Sequence, residues 1–365
     1  MPKGICPMRM VVGAGSILAL VVAPGCSVEE SGRVTAWGIN LAGAEFGARN
    51  PGFSSARPGR HGREYIFPSE GTLGYYADRG LSLIRLPISW ERLQAEPFGA
   101  LDPEYSGRVL TFMDQASARG CRVVLDLHNY GRYREADEEL VVGGSALDSA
   151  GLPAAALADL WLRLARRVEH HPALHALGLM NEPHDMGDLD WHATSGEVVA
   201  ALRRAGHQMW IWVAGDGWSK AHEWQERNPS ENWIHDPLQR VAYEAHVYWD
   251  ADSSGLYRLS FAEEQRLDGQ ILTRGAKSIE PFSAWCTRNG VIGVIGEFGI
   301  PWNDAGWLPV LDGFLLEIKR QGLTSCAWAG GDWWGDYSLA LGPRGGADCE
   351  PLASILRCGP GRIRE

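Results

Sequence analysis

The chain has no excess of basic residues. Its formal net charge is -11, and no Lys/Arg cluster interrupts that balance, which argues against a polyanionic partner such as nucleic acid. It also contains no C-x-x-C pair and no H-E-x-x-H helix, and His171 and His175, although four residues apart, are interrupted by Pro172. No metal ligand set is therefore expected. No G-x-G-x-x-G turn follows the first apolar run, so a dinucleotide crevice is not expected either. No Pro/Ser-rich linker divides the 365 residues, and the chain is long enough for one domain with a substantial core. Long apolar runs are missing apart from 10–23, which Lys3 and Arg9 precede. That run is too short for a membrane span and has the layout of a secretory signal over 1–25.

The signal ends in Ala23-Pro24-Gly25-Cys26, which resembles a bacterial lipoprotein cleavage box and would leave Cys26 as a lipidated N-terminus. The mature chain is then expected to be secreted or tethered at the cell surface. Of the seven cysteines, five lie in the body: Cys121, Cys286, Cys326, Cys349 and Cys358. Export would allow Cys349 and Cys358 to pair, whereas Cys121 and Cys326 open apolar strands and are expected as buried thiols.

Past residue 33 short apolar runs alternate with amphipathic stretches. Strands are predicted at 34–40, 82–86, 122–127, 176–180, 209–214, 240–247, 291–297 and 324–328, with helical patterns most plainly at 105–119, 154–170, 191–206, 275–289 and 305–321. Eight strands alternating with helices predict a parallel sheet closed into a single (β/α)₈ barrel over 33–358. The irregular stretches 46–68, 130–152 and 218–239 are too long for plain connections and are expected to form the walls of a cleft.

The strand ends carry the chemistry. In order they present Asn40, Arg85, the His128-Asn129 pair, Asn181-Glu182, Asp216 with Trp218, His246 with Tyr248, Glu297, and Trp328. Each has a plain structural explanation taken singly, but one polar or aromatic residue per strand terminus is what a barrel active site requires. Two carboxylates, Glu182 in "GLMNEPHDM" and Glu297 in "VIGVIGEFGIPW", end buried runs and stand at the rim of the sheet, where they suit glycoside cleavage. Sixteen tryptophans exceed what packing requires, and aromatic faces stack on sugar rings.

With "NLAGAEFG", "HNYGRY" and "MNEPH" joined by Arg85, His246-x-Tyr248, Gly296-Glu297 and Trp328 in order, the chain resembles the retaining cellulases of glycoside hydrolase family 5 over about 33–342. The resemblance implies an endo-acting β-1,4-glucanase, with an endo-β-1,4-mannanase or other β-glycanase on the same barrel as the alternative. A non-catalytic carbohydrate-binding protein is the remaining reading. The resemblance makes Glu182 the general acid/base, which should be protonated near neutral pH because Glu297 lies close, and Glu297 the nucleophile, with Arg85 and Tyr248 beside it. Asn181 would bond the sugar 2-hydroxyl, His128, Asn129 and His246 would bind substrate or orient the acids, and Trp328 would floor the subsite of the cleaved sugar. Asn40, Trp218, Trp302 and Trp334 are further candidates for substrate contact. No cofactor is implied, the partner is a polysaccharide, and the chain is expected to act as a monomer.

Overall fold

Eight short runs of apolar residues become eight strands because each is buried on both faces, as parallel strands under helices must be. The computed structural model describes residues 36–136, 138–144 and 151–359; the leader, Cys6, Cys26 and the beginning of the first predicted strand lie outside the described residues. The strands are β1 (Trp37–Leu41), β2 (Leu83–Ile88), β3 (Arg122–Leu127), β4 (Leu174–Gly178), β5 (Trp210–Ala214), β6 (Val241–Val247), β7 (Ile292–Phe298) and β8 (Thr324–Gly330). Neighbours run parallel, and β8 returns to pair with β1, so the sheet closes into the predicted barrel.

The connections place α1 (Glu70–Ala77), α2 (Pro103–Ala118), α3 (Ala154–Val168), α4 (Trp191–Arg204), α5 (Trp224–Arg227), α6 (Glu280–Asn289), α7 (Leu308–Gln321) and α8 (Glu350–Cys358) one after each strand. Local chemistry fixes their ends. Asp102 accepts the Tyr105 N–H at 2.7 Å just ahead of Pro103 at the start of α2, and α6 and α7 stop at Gly290 and Gly322, both left-handed. Helix α1 escapes the sequence pattern because "EGTLGYYA" has two glycines and little amphipathic contrast. Helix α5 is a single turn, so most of 218–239 is irregular, as expected. The 130–152 stretch is not wholly irregular: Arg132–Glu135 pairs antiparallel with Glu138–Gly144, which in turn meets Leu152–Pro153.

The Cys349–Cys358 disulfide that export would allow is not formed. The two are free thiols at opposite ends of α8, nine residues apart, or about 13 Å at 1.5 Å per residue, far beyond the roughly 7 Å that a bridge tolerates between Cα atoms. Cys121 and Cys326 are buried thiols as predicted. Half of the sixteen tryptophans are fully buried in the core: Trp90, Trp161, Trp191, Trp212, Trp224, Trp249, Trp285 and Trp307.

Inside the barrel the two-residue strand period stacks side chains in layers. Ala36, Leu83, Val124, Ala176, Trp212, Ala242, Val294 and Cys326 form an apolar layer, one from each strand or its immediate start. Two residues further on stand Gly38, Arg85, Asp126, Gly178, Ala214, Glu244, Gly296 and Trp328. The glycines of this second layer make room for the charged groups. A Cβ on Gly296 would fall 1.8 Å from Glu244 Oε1, and one on Gly38 would fall 2.2 Å from the Leu83 carbonyl oxygen and 2.9 Å from Cys326 Sγ. Gly38→Ala is therefore expected to destabilise the protein by about 1–3 kcal/mol through overpacking, read as a lowered midpoint in urea denaturation; an unchanged midpoint would mean that β1 and β2 can move apart freely.

Candidate active site

The second layer is organised around one guanidinium. Arg85 is fully buried; Nη1 donates to Asn40 Oδ1 and Glu297 Oε1, both at 2.9 Å, and Nη2 donates to Asn181 Oδ1 at 2.7 Å. Ion-pair contacts to Asp126 Oδ1 at 3.0 Å and Glu244 Oε1 at 2.8 Å complete its surroundings. Burial works against the charge, but Asp126, Glu244 and Glu297 outweigh it and hold the guanidinium protonated above its ordinary range.

Above this layer sit the groups that face the cleft. Glu297 Oε2 accepts from the Tyr248 hydroxyl at 2.8 Å, and burial together with the Glu297 charge keeps that phenol protonated as a donor. Glu182 Oε1 lies 2.7 Å from His246 Nδ1, while His246 Nε2 lies 3.4 Å from Glu244 Oε1. Burial alone would lower the His246 imidazole, but the charge of Glu297 and the bonds to Glu182 and Glu244 push it up to about 10. His128 Nδ1 sits 2.8 Å from Asp126 Oδ2 and its ring stacks on Trp328, 5.5 Å between centroids and 10° from parallel. An oxygen of Glu182, an oxygen of Glu297 and a nitrogen of His246 all lie within 4.8 Å of one another.

These three could each offer one atom to a metal ion, and here His246 Nδ1 is turned to Glu182 Oε1 at 2.7 Å. The cluster is built to share a proton between an imidazole and two carboxylates. The expectation that Glu182 is itself protonated near neutral pH is corrected: burial favours the neutral acid, but the hydrogen bond and charge of His246 hold its carboxyl below the ordinary value. Glu182 thus faces the imidazole with Oε1 2.7 Å from Nδ1. Its backbone is held at φ 43, a conformation uncommon for a side-chain-bearing residue, which aims the carboxyl at the cleft.

The cleft, of about 440 Å³, collects His128, Glu182, Trp218, His246, Tyr248, Glu297 and Trp328 from the sequence candidates. Others are placed elsewhere. Asn40 is fully buried and donates to the Gly296 carbonyl at 2.9 Å, so it fixes Arg85 and the strand bearing Glu297 instead of touching substrate. Asn181 is buried against Arg85 and lies 3.4 Å from His128 Nε2. Asn129 accepts the Trp90 N–H and donates to Glu91, both at 2.8 Å, tying β3 to the turn after β2. Asp216 accepts the Gly217 N–H at its own turn. Trp302 bonds the Tyr337 carbonyl beneath an Arg344 cation, and Trp334 bonds the Gly330 carbonyl and stacks on Tyr337; neither lines the cleft.

Sequence reasoning missed two kinds of residue. Asp126 and Glu244 precede His128 and His246 by two positions, and a D-x-H or E-x-H pattern on a strand puts both on one inward face. The walls were half seen: Arg49, Tyr130 and Lys220 come from the three long stretches predicted to form them, but Tyr337 and the segment 252–256 also line the cleft. That segment is shaped by buried Asp250, which accepts from Gly255 N–H at 3.0 Å and Tyr257 N–H at 3.1 Å. It presses Gly255 against the Tyr248 ring, where a Cβ would lie 2.9 Å away.

Comparison with known proteins agrees with this geometry. Residues 39–333 match the family described as Cellulase (glycosyl hydrolase family 5). Endo-beta-1,4-glucanase A of Emericella nidulans is 31% identical over 96% of this chain and 98% of its own length. Among solved structures, Pseudomonas stutzeri endoglucanase Cel5A in complex with cellobiose is 34% identical with a TM-score of 0.79, covering 92% of this chain and 95% of that one. XacCel5A in complex with cellopentaose is 30% identical with a TM-score of 0.76, covering 89% and 99%.

Arg85→Met should leave three carboxylates without their shared cation and destabilise the protein by about 3–5 kcal/mol at pH 7. The pH dependence follows from Glu244, whose carboxyl is held below its ordinary value of 4.5, against burial, chiefly by Arg85. A depressed folded-state pKa stabilises above the unfolded value and is lost as pH falls through the folded one. The gap between wild type and variant in chemical denaturation should therefore be widest above about pH 5 and narrow below pH 4; a gap independent of pH would mean that lost packing, not charge, dominates.

Proposed function

The chain belongs to glycosyl hydrolase family 5, the cellulase family, and is a glycoside hydrolase; from this premise we propose that it is an endo-acting β-1,4-glucanase that works by double displacement with retention. The observation that carries the reading is the approach of Glu182 and Glu297, with oxygens within 4.8 Å. Retaining glycosidases hold their carboxyls about 5–5.5 Å apart, whereas inverting ones need roughly 6.5–9.5 Å to admit a water.

Glu297, held by Arg85 on one oxygen and Tyr248 on the other, attacks the anomeric carbon as the bond to the departing oxygen breaks. Glu182 delivers a proton to that oxygen and then takes one from the water that releases the sugar. The flat surface of Trp328, braced by its stack on His128 and by the Tyr337 hydroxyl 3.1 Å from Nε1, floors the cleaved sugar. Trp218, stacked on His184, offers a second platform. A glucan is favoured over a mannan by relatives named as endo-β-1,4-glucanases along the whole chain and by related structures holding cellobiose and cellopentaose. The leader at 1–25 and the box at Cys26 support export, with a site complete in one chain acting as a monomer outside the cell or tethered to its surface.

Proton NMR of the first sugars released from a cellooligosaccharide should show the β-anomer ahead of mutarotation, with reducing ends rising faster on carboxymethyl cellulose than on galactomannan. Initial α-anomer would sink the double-displacement reading, and faster galactomannan cleavage would move the enzyme to the mannanases.

Glu182→Ala should be graded in its harm. A dinitrophenyl glycoside leaves without protonation, so glycosylation by it should survive, while polymer hydrolysis should fall by about 10²–10⁴. Equal losses on both substrates would remove Glu182 from the acid/base role.

A further inference from the structure

Glu244 has no part in the reaction as described, yet it is fully buried at the centre of the barrel mouth. It joins the two halves of the site from beneath. One oxygen, Oε1, lies 2.8 Å from Arg85 Nε and 3.4 Å from His246 Nε2, and the other, Oε2, has no hydrogen-bond partner among the described residues. Buried carboxylate oxygens are seldom left so, and the exception calls for a reason. The backbone also gives way to it, because only glycine fits at 296 beside its carboxylate.

The result is a row of alternating charges running Glu182, His246, Glu244, Arg85, Glu297, with links of 2.7, 3.4, 2.8 and 2.9 Å. We propose that Glu244 is a positioning residue that holds His246 as a doubly protonated imidazolium, so that the proton which Glu182 gives to the leaving sugar is stored on His246 between turnovers. The inference rests on Glu182 being the acid/base. A neutral imidazole could be a donor at only one nitrogen; carboxylates facing both nitrogens select the form with two N–H groups.

The proton count closes. In the first step the Nδ1 proton moves to Glu182, which passes it on to the glycosidic oxygen as the C1–O bond to the leaving sugar breaks and a C1–O bond to Glu297 forms. His246 is left neutral and the sugar departs as an alcohol. In the second step water gives a proton to Glu182 as its oxygen bonds C1 and the bond to Glu297 breaks, and the proton returns to His246. The groups that face His246 are Glu182 beyond β4, Glu244 on its own strand, Glu297 on β7, and Lys220 from the segment after β5, whose ammonium is turned to the Asp252 carbonyl and Glu223. Glu244 itself faces Arg85 from β2 and Cys326 from β8.

The test is the alkaline limb of kcat/KM, which reports the free enzyme. Glu244→Gln removes one of the anions that favour the imidazolium, so the limb should move down by about 1–3 pH units, and Glu244→Asp, which keeps the charge, should return it toward the wild-type position. A profile that only scales down, with the limb unmoved, would overturn the proposal. Should the glutamine variant not fold, ¹⁵N-histidine NMR of the wild-type chain decides: both His246 nitrogens protonated at pH 7 supports the store, and a neutral ring refutes it. Failure of the parent reading is separable, since it would appear as equal losses on aryl and polymeric substrates in Glu182→Ala whatever Glu244 does.

Discussion

The structure turns on the burial of Arg85. A guanidinium without water needs several anions and acceptors around it, and three carboxylates and two asparagine carbonyls supply them from five different strands or strand ends. That demand fixes the barrel mouth. Asn40 cannot leave without releasing both Arg85 and the Gly296 carbonyl, and Gly38 and Gly296 must stay small where neighbouring strands crowd in. Charge of this kind adds little stability compared with an apolar core of the same volume. What it supplies is position: Glu297 reaches the cleft with one oxygen already bonded to a cation and the other to a phenol, so little reorganisation remains when charge develops in the transition state.

How much of this could be read from the chain depends on which physical period carried it. All eight strands were legible because each is a short apolar run between turn signals, and their ends lined up because polar residues there break the run. Glu182, Glu297, His128, His246, Tyr248 and Trp328 were visible for that reason. Asp126 and Glu244 were not, since an acid inside an apolar strand reads as a flaw in the pattern until the two-residue period ties it to the histidine beyond. Asn129 and Asn181 look alike in sequence, each beside a site residue, but strand alternation turns one toward Trp90 and Glu91 and the other toward Arg85. The tryptophans were hardest, because stacking on sugar and filling a core draw on the same apolar face.

Protonation was the other blind spot, and for a different reason. Two acids in sequence suggest that one raises the pKa of the other. In three dimensions a histidine stands between them, 2.7 Å from Glu182 and 3.7 Å from Glu297, with a third acid behind it. Flanking anions favour the charged imidazole, and the charge of His246 in turn lowers the Glu182 carboxyl.

Floor and walls of the cleft answer to different constraints. The floor residues sit on buried strands and are cross-linked through Arg85, so a change in any one disturbs the others. The walls come from loops after several strands: Arg49 lies over the Tyr130 ring, Trp218 on His184, and the segment 252–256 hangs on the buried Asp250 carboxylate. These contacts are local, so a wall can change shape without touching Arg85. The sequence motifs are therefore dense on the floor, where side chains are cross-linked, and absent from the walls, where side chains such as Lys220, His222 and Asp252 line the cleft.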